Sequence, residues 1–342
     1  MLRPLPPTPD APGPVELDIE PGRRAALQMT RHRLEAEVPL VLTRTALRGG
    51  ARLPPVLLVH GFAQNRYTWH TSIRSLSAAL AAAGFEAWNL ELRGHGLSRG
   101  EGQEGATVFA DYIADLHAAI DALPDRPFLI GHSLGGAAAY AAAALRPGRV
   151  RGVIGLAAVY GFGNGNPLIR FACRVSQRAA SAPALSRVQV KSRLLGQIIG
   201  RALDLTDIAG YTLPLSGWWP GSVEPALLQE RLEEGFDWTS VKVWQEMARW
   251  GAQGAFDHDR EWRAAEVPVL VVLGDKDHLL PVEDGRLAFD RARGPDKELL
   301  LLDPWTTGHH WGHLDIVLGK AAPAEVWPRL IAWMEARAGA AG

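Results

Sequence analysis

The stretch Phe128-Leu-Ile-Gly-His-Ser-Leu-Gly-Gly136, which runs on into the alanine-rich residues 137–145, decides the fold. Three large apolar residues in succession suit a buried strand, and alanine is the best helix former available. The glycines between them let the chain reverse tightly. Strand, sharp turn and helix is the repeating unit of a parallel sheet with crossover helices. The same rhythm recurs on both sides, with apolar runs at residues 56–59, 87–92, 128–130 and 153–156 separated by longer segments of helical character. The fold class expected is therefore α/β.

Working outward, residues 72–83 are rich in Ala and Leu and end at Gly84, and residues 109–123 carry apolar residues at helical intervals and are closed by Pro124. Both read as crossover helices. Residues 31–48 hold two alternating stretches broken at Pro39, which suits an antiparallel pair at a sheet edge. Strands resume at residues 267–273 and 298–302, and a last helix is expected around 325–338. The core then comprises residues 15–159 and 264–342. Residues 160–263 carry glycine and proline punctuation, amphipathic stretches and six of the twelve tryptophans, which reads as a helical cap or lid. The proline-rich residues 1–14 read as an irregular lead-in.

Composition narrows the function classes. Hydrophobic residues at 47% and charged residues at 21% describe a folded, water-compatible chain. Its 36 basic and 37 acidic residues are interspersed and leave a formal charge of -1, so no field attracts nucleic acid or an anionic membrane. Cys173 is the only cysteine, which excludes an intrachain disulfide and a multi-cysteine zinc site. No segment approaches ~20 consecutive apolar residues, and prolines interrupt the N-terminus where a secretory signal needs an apolar run. A cytoplasmic setting is expected.

Gly-x-Ser-x-Gly presents a serine hydroxyl on a strained strand-to-helix turn, and the pattern occurs twice. Gly131-His-Ser-Leu-Gly135 has the strand before it and the helix after it. Gly96-Leu-Ser-Arg-Gly100 leads instead into Glu101-Gly-Gln-Glu-Gly105, which reads as an open loop. Ser133 is thus the candidate nucleophile and Ser98 a loop serine. The turn leaves the N–H of Leu134 at a helix start, aimed where an oxyanion develops.

A serine needs an imidazole to accept its proton and a carboxylate to orient that imidazole. The apolar run ending at Gly274 places Asp275 and Asp277 at the carboxyl end of the sheet. Asp277 is preferred, because Asp275 follows the turn glycine directly and suits hydrogen bonds to local amides. His309, His310 and His313 lie after the last strand, and His313, which follows Gly312 at a helical start, is preferred, with His309 second. Residues 56–59 lead into His60-Gly61-Phe62, where the Phe62 N–H can supply the second oxyanion donor. His60 reads as structural, and Gln64 and Asn65 as entrance residues or helix caps.

These segments, His60-Gly61-Phe62, Leu92-Arg-Gly-His-Gly-Leu-Ser98, Gly131-His-Ser-Leu-Gly-Gly136, Gly274 to Pro281 and His313, together resemble the α/β-hydrolase superfamily in chain order. The resemblance implies an eight-stranded, mostly parallel sheet with helices on both faces and a helical cap. It implies Ser133, Asp277 and His313 as triad, with Phe62 and Leu134 as oxyanion donors. The ending His313-Leu-Asp-Ile-Val-Leu-Gly319 is similar to that of acid lipases and related bacterial lipase-like esterases, whose histidine at this place is catalytic. Epoxide hydrolases and haloalkane dehalogenases of this fold use aspartate as nucleophile and polyhydroxyalkanoate synthases cysteine, so serine implies acyl transfer to water. The expectation is an esterase that needs no metal or cofactor and takes an ester with an apolar acyl or alcohol part, walled by Trp218, Trp219, Trp238 and Trp244. An acyltransferase or perhydrolase with the same triad, and a ligand-binding module of low turnover, are the rival expectations.

Overall fold

The computed structural model describes residues 1–99, 106, 108–179, 189–191, 217–254 and 256–339. The N-terminal half supplies eight strands: β1 Leu2–Pro4, β2 Gly13–Glu20, β3 Arg23–Leu34, β4 Leu40–Leu47, β5 Pro55–Val59, β6 Glu86–Glu91, β7 Phe128–His132 and β8 Gly152–Leu156. Two short strands, β9 Gln189–Lys191 and β10 Trp238–Ser240, pair antiparallel apart from them. The main sheet is completed by β11 Val269–Gly274 and β12 Lys297–Leu302 and runs β1-β3-β4-β6-β5-β7-β8-β11-β12, with β2 also on β3. From β6 to β12 every pairing is parallel, while β4 joins β6 antiparallel.

The α/β architecture is as expected, and the sheet is larger than expected. Ten strands stand where the resemblance implied eight, because β1 and β2 add to the free edge of β3. The reading of residues 1–14 as irregular is corrected accordingly. An edge strand leaves one row of amides unpaired, so Pro4 and Pro14 are tolerated there. Asp10, between the two strands, pairs with Arg31 of β3 and with Arg66 at 3.2 Å.

Helices cover both faces. Helix α1 Leu76–Ala82 starts where the Ser75 hydroxyl accepts from the Ala78 N–H at 3.0 Å, and the chain leaves it through Gly84 at φ +106°. Helix α2 Phe109–Ala122 ends before Pro124, and α3 Leu134–Leu145 rises directly from the β7 turn. Between β8 and β11 lie α4 Pro167–Ala179, α5 Pro225–Glu234, α6 Val241–Gln253 and α7 Asp259–Ala264, and the chain closes with α8 Trp327–Ala338. Helix α1 meets α8 on one side of the sheet, while α3 meets α2 and α7 on the other. Trp250 and Trp262 from the intervening region are buried, Trp262 with its indole N–H on the Ala288 carbonyl at 2.8 Å. For these two, the area that a tryptophan buries is sufficient explanation.

Candidate active site

The turn between β7 and α3 holds Ser133 at φ +55° and ψ −124°. A non-glycine residue rarely adopts such a backbone, and it persists only where its surroundings impose it. They do so here. A Cβ on Gly131 would come within 2.5 Å of the Gly135 carbonyl, one on Gly135 within 2.3 Å of the Val59 and His60 carbonyls, and one on Gly136 within 2.1 Å of the Ala158 side chain. The Ser133 carbonyl accepts from Gly136, Ala137 and Val159, and its N–H donates to Leu156 at 3.1 Å. Leu134 is the first residue of α3, so its N–H has no intrahelical acceptor.

The open-loop reading falls on residues 101–105, outside the described residues, and Ser98 stands before it. Gly96–Arg99 is a 3-10 turn in which Ser98 is buried, its hydroxyl donating to the Glu91 carbonyl at 2.6 Å and accepting from the Val41 N–H at 2.9 Å. Residues 100–105 lie outside the described residues.

The loops after β11 and β12 come together. His313 Nδ1 lies 2.7 Å from Asp277 Oδ2, and both side chains are buried. The other oxygen of Asp277 accepts from the N–H groups of Leu279 and Leu280 at 2.9 and 2.7 Å. Local amides were expected on Asp275, and this is corrected: Asp277 accepts them. Asp275 instead accepts from the distant Trp311 N–H at 3.1 Å and pairs with His310 Nδ1 at 2.5 Å. The two carboxylates thus serve two histidines three residues apart, a doubling that no spacing rule announces. His309 pairs with neither and lies against the Trp311 ring, centroids 4.8 Å apart.

His132 links this loop to the serine turn. Its Nε2 lies 3.0 Å from the His313 carbonyl, and the rings are 4.6 Å apart. A carbonyl can only accept, so Nε2 carries the proton. Burial, reinforced by His313, holds His132 well below the ordinary histidine range and hence neutral.

The segment after β5 approaches from the other side. A Cβ on Gly61 would lie 3.0 Å from the Ser133 Cβ, so the backbone leading into half-buried Phe62 runs against the serine. His60 is buried, with Nε2 accepting from the Leu92 N–H at 3.2 Å and Nδ1 donating to the Gly61 carbonyl at 3.0 Å. Burial pushes it well below its usual value too. The Asn65 side chain accepts from the Tyr67 N–H at 3.1 Å and caps Arg66–Thr68. Gln64 is buried, and its Oε1 accepts from Thr68 at 2.9 Å and from Arg231 at 3.1 Å. Arg231, on α5, also donates to the Tyr67 carbonyl at 2.9 Å, and burial brings its pKa down to about 10. Sequence reasoning missed Arg231, because an arginine on an amphipathic helix reads as a solvated side chain.

The four tryptophans have separate surroundings. Trp244 lies 6.2 Å from the Phe62 ring and 6.0 Å from Phe162, its indole N–H on Ser176 at 3.1 Å. The Trp218 backbone packs on Gly312, next to His313. Trp219 lies 4.4 Å from the His310 ring and, with His309, Asp315 and Lys320, lines a cavity of about 320 Å³. The Trp238 backbone belongs to β10, and its side chain falls outside the described residues.

A family model described as alpha/beta hydrolase fold matches residues 54–315, and the chain belongs to that family. It is a hydrolase of the α/β fold. A monoacylglycerol lipase of Mycolicibacterium smegmatis is 26% identical over 250 residues, 71% of this chain and 77% of the relative. An epoxide hydrolase of Caballeronia sordidicola is 35% identical over 104 residues, 30% of each chain. The crystal structure of a monoacylglycerol lipase from Paleococcus ferrophilus superposes with a TM-score of 0.62 at 19% identity, covering 87% of this chain and 99% of that one, a likeness of fold. Among the described residues no helix is long and apolar enough to cross a membrane.

Proposed function

We propose that the chain is a carboxylic-ester hydrolase that works through an acyl-enzyme on Ser133. The observation that carries the reading is the serine held at φ +55° on the β7–α3 turn, with the neighbouring His132 bonded to the carbonyl of His313, whose imidazole is paired with buried Asp277. The bond to Asp277 uses Nδ1, so Nε2 of His313 is the nitrogen left to take the serine proton.

In this mechanism the Ser133 oxygen attacks the ester carbonyl as His313 accepts the hydroxyl proton. The N–H groups of Phe62 and Leu134 receive the oxyanion. His313 then protonates the departing alcohol, and in the second half it deprotonates a water that releases the acid and restores Ser133. Asp277 keeps the imidazole in the required tautomer and stabilises its charged form, aided by the two amides that fix the carboxylate. Epoxide opening, suggested by the short epoxide hydrolase match, is not favoured by a serine at the turn.

Turnover of p-nitrophenyl esters of increasing chain length tests the reading. Ser133→Ala and His313→Ala are each expected to lose roughly 10³-fold or more in kcat, with His309→Ala close to wild type. Activity that survives in Ser133→Ala overturns the mechanism. A competing alcohol that diverts most of the acyl group from water would make the chain an acyltransferase.

A further inference from the structure

The proposed nucleophile and base stand on different parts of the fold. Ser133 follows β7, which is paired on both sides, Gly131 with Val59 of β5 and His132 with Leu156 of β8. The loop that carries His313 is tied elsewhere. The Trp311 carbonyl accepts from the Lys276 N–H at 2.9 Å, the His313 imidazole meets Asp277 after β11, and the Leu314 N–H donates to the Gly217 carbonyl at 2.7 Å. None of these bonds refers the loop to Ser133. Among the described residues, the hydrogen bond from His132 Nε2 to the His313 carbonyl, at 3.0 Å, is the one that joins residues 309–319 to the serine turn.

His132 is built as a rigid spacer. Its side chain is fully buried, its backbone belongs to a central strand, and it is the residue next to Ser133. One imidazole therefore spans from the strand that carries the nucleophile to the backbone of the base. The two rings lie 4.6 Å apart, and the neutral state of His132 leaves the imidazolium that forms on His313 without a like charge beside it. Asp277 orients the His313 imidazole from the β11 side and does not set its distance from Ser133. Reacting groups have to be held within about 0.5 Å of the productive geometry, and a displacement of about 1 Å costs on the order of a hundredfold.

We propose that His132 is a positioning residue that sets the distance between Ser133 and His313 through its hydrogen bond to the His313 carbonyl. The proposal rests on the reading of Ser133 and His313 as nucleophile and base.

Steady-state kinetics with short p-nitrophenyl esters test it on two variants. His132→Phe keeps a ring and loses the donor, whereas His132→Gln has an amide nitrogen as many bonds from Cα as Nε2 is. His132→Phe is expected to lose about tenfold to a hundredfold in kcat with KM within about twofold of wild type, and His132→Gln to recover most of that loss. His132→Asn, whose amide stops a bond short of the carbonyl, is expected to lose kcat as His132→Phe does and covers the case in which His132→Phe does not fold. In proton NMR, the downfield resonance of the His313 Nδ1–H bonded to Asp277 is expected to persist in the variants, because that pair stays made while its place against Ser133 shifts. Its loss would overturn the proposal and put His132 in support of the pair instead. A purely structural part would lower the urea midpoint and leave the kcat of folded protein unchanged, and that result overturns the proposal, as does an equal loss in His132→Phe and His132→Gln. Ser133→Ala in the same assay keeps the two levels apart. If it is inactive while His132→Phe turns over like wild type, the positioning role falls alone, and if it stays active the reading of the site falls first and this role with it.

Discussion

Ser133 and Ser98 occupy the same five-residue pattern and differ in backbone. Ser133 is held in a left-handed conformation between a strand and a helix, whereas Ser98 spends its hydroxyl on the Glu91 carbonyl and the Val41 amide. That difference separates two substitutions. Ser98→Ala leaves two buried backbone groups unpaired and is expected to cost about 1–3 kcal/mol, seen as a lower urea midpoint, with ester turnover within about twofold of wild type. Loss of turnover without loss of stability would put Ser98 in the chemistry instead. Gly135→Ala forces a methyl to within 2.3 Å of two carbonyl oxygens of the β5 end, and a backbone so enclosed cannot give way. A drop of several degrees in Tm, or no soluble protein, is expected. At this scale much was legible, since a glycine pattern in its strand–turn–helix setting singles out one serine of two. The aspartates were harder. Asp275 and Asp277 both lie in the turn after β11 and each holds a histidine, so chain position alone does not tell them apart.

Elements from the intervening region grip the segment that carries Phe62. From α5, Arg231 donates to Gln64 and to the Tyr67 carbonyl, and the Glu234 carbonyl accepts from Asn65 at 2.7 Å. Arg74, just before α1, pairs with Glu224 at the start of α5 and donates to the Leu318 carbonyl at 2.8 Å, which ties the segment after His313 into the same frame. A guanidinium fork reaches two acceptors at once, and methionine fills a similar volume with neither bond. Arg231→Met is therefore expected to keep the fold and to lower kcat about tenfold, with KM for short p-nitrophenyl esters little changed. An unchanged kcat would mean that the β5–α1 segment holds its shape without α5. None of these ties could be read from the chain, because periodicity shows which face of a helix is apolar and not which loop its buried arginine meets.

For the whole molecule, the parallel half of the sheet was legible and its antiparallel edge was not fully so. Buried strands such as β5, β7, β8 and β11 are continuous apolar runs, a signal that depends only on burial on both faces. Strands β1 and β2 are proline-bearing edge pieces whose pairing depends on the free side of β3, a property of the assembled sheet. Asp315 is likewise defined only by assembly. It is buried where the intervening region meets the histidine loop and accepts from the N–H groups of Gly312 at 2.8 Å and Trp219 at 3.3 Å. Burial pushes its pKa up to about 6, against the lowering effect of those donors. With the folded value above the unfolded one, near 3.9, the native state holds the extra proton between roughly pH 4 and pH 6. Its stabilisation is then fully present below about pH 3.9 and is lost as pH rises through about 6. Asp315→Asn removes the titration and mimics the protonated form. Urea unfolding of both proteins from pH 4 to pH 7.5 is expected to show wild type losing stability relative to the variant as pH rises, by at most about 3 kcal/mol and with the change complete shortly above pH 6. If wild type gains on the variant over that range, the amides of Gly312 and Trp219 outweigh burial and hold Asp315 as a structural carboxylate.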